Sequence, residues 1–233
     1  MEYRQAGYFL IAARPYQLPG EPVRHLPTVS TCINASFPDE WALSWTGKSE
    51  PALQILARDY GIDAERLRAI QAWGDAAFER GDWGYPNVLM SLNSAREFYR
   101  TWLAPWPHIQ DLRLLGLSLP EDQCEIALAS LKPVQANQGE CGLYTLLKQG
   151  LPESPGGKRL GFEILGLEIG GSLHSFYCNH LHQAYAALGL KLNQYGLLAK
   201  AADARRALEF TLAESTRAEP VPWLSFRVKE YAF

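Results

Sequence analysis

The stretch Leu160-Gly161-Phe162-Glu163-Ile164-Leu165-Gly166-Leu167-Glu168-Ile169 sets the narrowest limits on the fold. It is rich in aliphatic and aromatic residues, contains no proline, and is followed at once by Gly170-Gly171-Ser172, so it reads as a β-strand ended by a turn. Tyr8 to Ala13 reads as a second, buried strand stopped by Arg14-Pro15, and Val29 to Ile33 as a third. Asp111 to Leu119 alternates enough to be another, while the tail from Leu224 to Phe233 fits either a helix or an edge strand. Pro19-Gly20-Glu21-Pro22 is a turn signal between the first two strands.

Between Pro51 and Leu103 the pattern turns helical. One helix is predicted over Ala52 to Tyr60, stopped by Gly61, and another after an Asp63 cap, with Leu67, Ile70 and Ala77 near one face. Ser94 to Leu103 should form a third, capped by Asn93 or Ser94, and Pro120-Glu121-Asp122 reads as the start of a fourth. Helical spacing continues over His174 to Leu188, ending at Gly189, and over Asp203 to Glu214. Strands and helices alternate irregularly and no repeat is visible, which predicts an α+β fold: a mixed or antiparallel sheet with helices packed on it. We read residues 1–233 as a single domain, with a weak boundary candidate at 104–108, where Trp106 suggests packing rather than a loose linker.

A chain of 233 residues has enough length to bury a substantial core without staples. The formal net charge of −3 and the lack of a long basic run argue against nucleic acid as a partner. The first apolar run is too short for a signal core or a membrane span, so a cytoplasmic protein with no membrane partner is expected. Cysteines 32, 124, 141 and 178 are widely spread, which predicts reduced thiols, with Cys32 and Cys124 buried as small hydrophobes.

The segment Asn137-Gln138-Gly139-Glu140-Cys141-Gly142 resembles the opening of the papain motif. Tyr144, however, stands where that family has its nucleophile, and fewer than the roughly 130 to 150 residues its histidine requires follow Cys141. A closer resemblance is to bacteriocin-processing cysteine peptidases, through Gln135, Glu140, Cys141 and Gly142. It implies a Cys141 nucleophile and a Gln135 oxyanion donor, with His174 as base and Asn179 or Asn193 as its orienter. The competing reading is a helix-start thiol packed beneath Leu143, Leu146 and Leu147, which we favour.

His174, Cys178 and His182 recur every fourth residue and could offer metal ligands from one helical flank, but a fourth ligand would have to come from elsewhere, such as Cys141, and no local motif supports it, so no metal and no cofactor is expected. Glu163 and Glu168 fall on opposite sides of their strand and read as solvent-facing or paired with Arg159 or Lys158. Glycines 161, 166, 170 and 171 do not make a dinucleotide fingerprint.

Three stretches, Arg159 to Glu168, Leu173 to Asn179 and Asn193 to Leu198, together resemble bacterial immunity proteins encoded beside secreted toxins. The resemblance implies a non-enzymatic cytoplasmic protein that binds and neutralises a cognate toxin, a protein partner, with a cysteine hydrolase using Cys141 and His174 as the alternative. Trp83 and Tyr85, flanked by the acids Glu79 and Asp82 in a Gly- and Pro-containing loop, are the candidate partner-binding residues; the rival reading folds both aromatics back onto the helices.

Overall fold

The computed structural model describes residues 2–17, 22–38, 58, 61–105, 109–135, 139–214 and 219–233. Among the described residues the strands are, in chain order, β1 (Tyr3–Ala12), β2 (Pro15–Tyr16), β3 (Arg24–His25), β4 (Ala35–Phe37), β5 (Trp83–Gly84), β6 (Val88–Leu89), β7 (Leu112–Pro120), β8 (Lys158–Leu167), β9 (Leu173–Ser175) and β10 (Trp223–Tyr231). The α-helices are α1 (Ala64–Glu79), α2 (Leu92–Phe98), α3 (Glu121–Leu131), α4 (Gly142–Gln149), α5 (Gln183–Ala187) and α6 (Ala201–Glu214), and α2 continues into a wider π turn over Tyr99–Leu103.

One curled sheet runs in the order β5-β6-β1-β7-β10-β8-β9, with β4 also paired to β1, and its pairings are antiparallel. This is the α+β arrangement that the mixed pattern predicts. The central strands are covered on both faces, which is why Tyr8 to Ala13 reads as a continuous apolar run. Phe9, Ile11, Leu115, Leu117, Leu165, Phe226 and Val228 point to one face, where Leu143, Leu146 and Leu147 of α4 and Ala127 and Leu131 of α3 cover them. Tyr8, Leu10 and Leu114 point to the other, beneath Leu67, Ile70 and Ala77 of α1 and Ala95 and Phe98 of α2. Farther along that second face Phe162, Ile164 and Trp223 meet Phe176, Tyr177, Tyr185 and Ala204. The two-residue period of a strand produces this division directly.

The Asp63 cap is present, its side chain accepting from Arg66 N at 2.8 Å. The next helix starts earlier than predicted, and its cap is Ser91, not Asn93 or Ser94, because Ser91 Oγ accepts from Ser94 N at 3.0 Å. Val29 to Ile33 is not a strand. The Asn34 side chain donates to the carbonyls of Leu26 and Thr28 at 2.8 and 2.7 Å, and Ile33 and Asn34 N–H groups both reach Ser30 O, so local bonds take the place of a ladder. The C-terminal tail is neither helix nor edge: β10 lies between β7 and β8, with Val228 opposite Leu117 and Phe226 opposite Glu163. The continuous helix expected over His174 to Leu188 is replaced by β9, a set of turns and the short α5, because the free edge of β8 captures Leu173–Ser175 by pairing Gly166 with His174. The predicted helix over Ala52 to Tyr60 lies outside the described residues apart from Arg58, as do Pro19 to Glu21 and Trp106 to His108.

Candidate functional site

Four loops meet at one end of the sheet: residues 28–34, the β5–β6 turn at 84–87, the start of α4 at 140–142, and the β8–β9 turn at 168–172. Gly142 is the joint between two of them. Its N–H donates to Tyr85 O at 2.8 Å, and a Cβ built on Gly84 would lie 2.4 Å from Gly142 Cα, so the two backbones touch. The glycine of the Cys-Gly pair is thus explained by close packing. Gly142→Ala is expected to destabilise the protein by about 1 to 3 kcal/mol, since backbone atoms cannot move aside, and a thermal unfolding shift would measure it.

Cys141 sits at the N-cap of α4, buried, with its sulfur against Gly171, where an added Cβ would be 2.9 Å away. Burial pushes its thiol up from the ordinary value, against the opposing pull of the backbone N–H groups of Tyr144 and Leu143. The packing beneath Leu143, Leu146 and Leu147 puts these residues in one core cluster. Gln135 is exposed, whereas Cys141 is buried. His174 faces elsewhere: its Nδ1 is 3.4 Å from Cys32 Sγ and its Nε2 is 2.9 Å from Glu168 Oε1. Asn193 holds the turn after it, accepting from Tyr195 and Leu197 N–H groups and donating to Leu160 O, and Asn179 is half-buried in the turn after β9.

Cys32, expected as a buried hydrophobe, is exposed, whereas Cys124 is buried as expected. Nothing in its local sequence marks Cys32 as functional. Its histidine is 142 residues away in the chain and arrives only through the pairing of β9 with β8. Glu219 adds a second carboxylate, within 4.8 Å of both the Glu168 and His174 donor atoms, and its carbonyl is pinned by Trp223 Nε1 at 3.3 Å. This convergence is what an imidazole between two acids makes without an ion, and the groups are partly or fully exposed. The His174, Cys178 and His182 flank is dissolved by the turns over 176–182, and Cys178 Sγ instead contacts Ser30 Oγ at 3.2 Å.

Glu163 lies beneath the site and is 2 % exposed, not solvent-facing or paired with Arg159 or Lys158 as its sequence position suggests. Both faces of β8 are covered, so neither side of the strand opens to water. Ser175 Oγ donates to Glu163 Oε1 at 2.8 Å and Thr28 approaches from the loop, but Oε2 has no good hydrogen bond. Desolvation raises this carboxyl to about 7. The same residue therefore braces the strand that carries His174 and the loop that leads to Cys32.

Of the predicted contact patch, Trp83 is buried against Phe78 with rings 6.0 Å apart, Asp82 pairs with Arg80 at 2.8 Å, and Glu79 stays exposed. Tyr85 does stand out, 48 % exposed, and Ile169, in the β8–β9 turn, is 83 % exposed. Gly170 joins them, since a Cβ there would be 3.8 Å from the Tyr85 ring. No protein-family model, curated protein or solved structure matches this chain.

Proposed function

We propose that this chain is a non-enzymatic binding protein that neutralises a cognate bacterial toxin in the cytoplasm, through the end of the sheet where Tyr85 and Ile169 project. The observation that carries the reading is that two exposed apolar side chains, Tyr85 and Ile169, stand on turns that meet at Gly170, with Glu168 next to Ile169 in the chain and the Glu219 carboxylate within 4.8 Å of that of Glu168. A desolvated apolar anchor inside a charged rim is the pattern of an interaction hot spot, and acidic rim groups favour a partner with a basic surface. The formal charge of −3 has the same sign. The hydrolase alternative with Cys141 has less support, because its thiol is buried and both His174 nitrogens face other groups.

The test uses the purified chain and the product of a toxin-like gene beside its own, with affinity measured by calorimetry. Combining Tyr85→Ala with Ile169→Asp should weaken binding by about 30-fold or more, the loss of a hot spot of about 2 kcal/mol. Leu212→Ser, on an exposed position of α6, should leave it unchanged. Undiminished affinity in the double variant would remove this face from consideration.

A further inference from the structure

The geometry points to Cys32 as a base-assisted thiol that hydroperoxides oxidise selectively, with Cys178 as the thiol that closes a disulfide onto it. This goes beyond toxin binding and does not depend on it.

Three features carry the inference. First, Cys32 is the exposed thiol of the four; Cys124 and Cys141 are buried and Cys178 is half-buried. Second, Cys32 Sγ is 3.4 Å from His174 Nδ1, near enough for the imidazole to take the thiol proton, and Glu168 and Glu219 stand beside the ring, where they stabilise the imidazolium that results. Third, Cys178 is anchored to the same turn, through Ser30 Oγ at 3.2 Å, and the two thiols lie close enough to influence each other. Desolvation holds Cys178 and Cys124 protonated, each pushed up to about 11, and raises Cys141 as well, so these three thiols are poor first targets.

In the first step the Cys32 proton passes to His174 Nδ1, and the sulfur attacks the terminal oxygen of the hydroperoxide. The S–O bond forms as the O–O bond breaks, and the leaving alkoxide, or hydroxide from hydrogen peroxide, takes the proton from the imidazolium. Sulfur is oxidised to a sulfenic acid and the peroxide is reduced to an alcohol or water. In the second step the Cys178 sulfur attacks Cys32, the S–S bond forms, the S–O bond breaks, and the hydroxyl leaves as water with the Cys178 proton. The product ties the 28–34 loop to the turn after β9.

The reduced full-length chain would be treated with a small molar excess of hydrogen peroxide at neutral pH and followed by intact mass and non-reducing peptide mapping. A loss of about 2 Da located to a Cys32–Cys178 link, reversed by dithiothreitol, is expected. Cys178→Ser should leave a Cys32 sulfenate that dimedone traps, and Cys32→Ser should leave the other thiols unoxidised at the same dose. His174→Gln should slow Cys32 oxidation by about tenfold, with Glu168→Gln slowing it less because the ring remains, and circular dichroism would confirm that both variants are folded. Oxidation of Cys124 or Cys141 at the rate of Cys32, a link other than Cys32–Cys178, or an unchanged rate in folded His174→Gln would each overturn the proposal.

Discussion

Phe226→Ala should cost about 3 to 5 kcal/mol of folding stability, read as a lower urea midpoint with an unchanged slope. Phe226 is fully buried on β10, opposite Glu163 of β8, in the core cluster that also holds Leu115, Leu117, Leu165 and the leucines of α4. Removing the ring leaves a cavity between the sheet and α4 that neighbouring strands cannot close without breaking register. A loss near 1 kcal/mol would mean that the tail lies at a solvent-exposed edge, contrary to its place between β7 and β10's other neighbour, β8.

Glu163→Gln should have the opposite effect, and only at higher pH. The carboxyl has an ordinary value of 4.5 and is raised to about 7 in the fold, so the folded state holds a proton that the unfolded chain releases between those values. Stability relative to the unfolded chain is therefore greatest below pH 4.5, as far as this group is concerned, and falls as pH rises to about 7, above which the loss is complete. The full difference is about 3 kcal/mol, at about 1.4 kcal/mol per pKa unit. Glutamine keeps the shape and the acceptor for Ser175 Oγ without a charge, so the variant should match the parent near pH 4.5 and exceed its stability above neutrality by an amount of that order. Parallel urea titrations across the pH range would show it. A parent and a variant with the same pH dependence would mean that Glu163 reaches water or a cation.

Much of the scaffold is readable from short-range pattern. Asp63 before an amphipathic run specifies a capped helix because its side chain satisfies an N–H three residues on, and Pro120 before two acids marks the start of α3 because Glu121 and Asp122 suit the positive end of the helix dipole. The apolar runs of β1, β7 and β8 announce strands buried on two faces. The structure departs from the pattern where a specific hydrogen bond or a distant strand overrides residue preference. Val29 to Ile33 has the composition of a strand but loses its ladder to the Asn34 amide, and His174 to Leu188 has helical spacing but begins on the edge of β8. Leu224 to Phe233 is ambiguous on its own, and its central place is set by two neighbours from elsewhere in the chain.

The candidate site follows the same division. Tyr85 is visible in the sequence as an aromatic in a turn-rich loop, and its neighbour Trp83 looks equivalent until Phe78 and the sheet cover it. Cys141 and Gly142 attract notice as a motif, yet packing against Gly84 and Gly171 accounts for them. By itself, the amino-acid sequence determined the α+β class, the alternation of most strands and several helix starts, because these depend on preferences that act over a few residues. The tertiary structure alone decided that β10 is central, that Glu163 is buried, and that Cys32 meets His174 across 142 residues of chain. Those outcomes depend on strand order and register, which bring together groups whose own neighbours carry no record of the meeting.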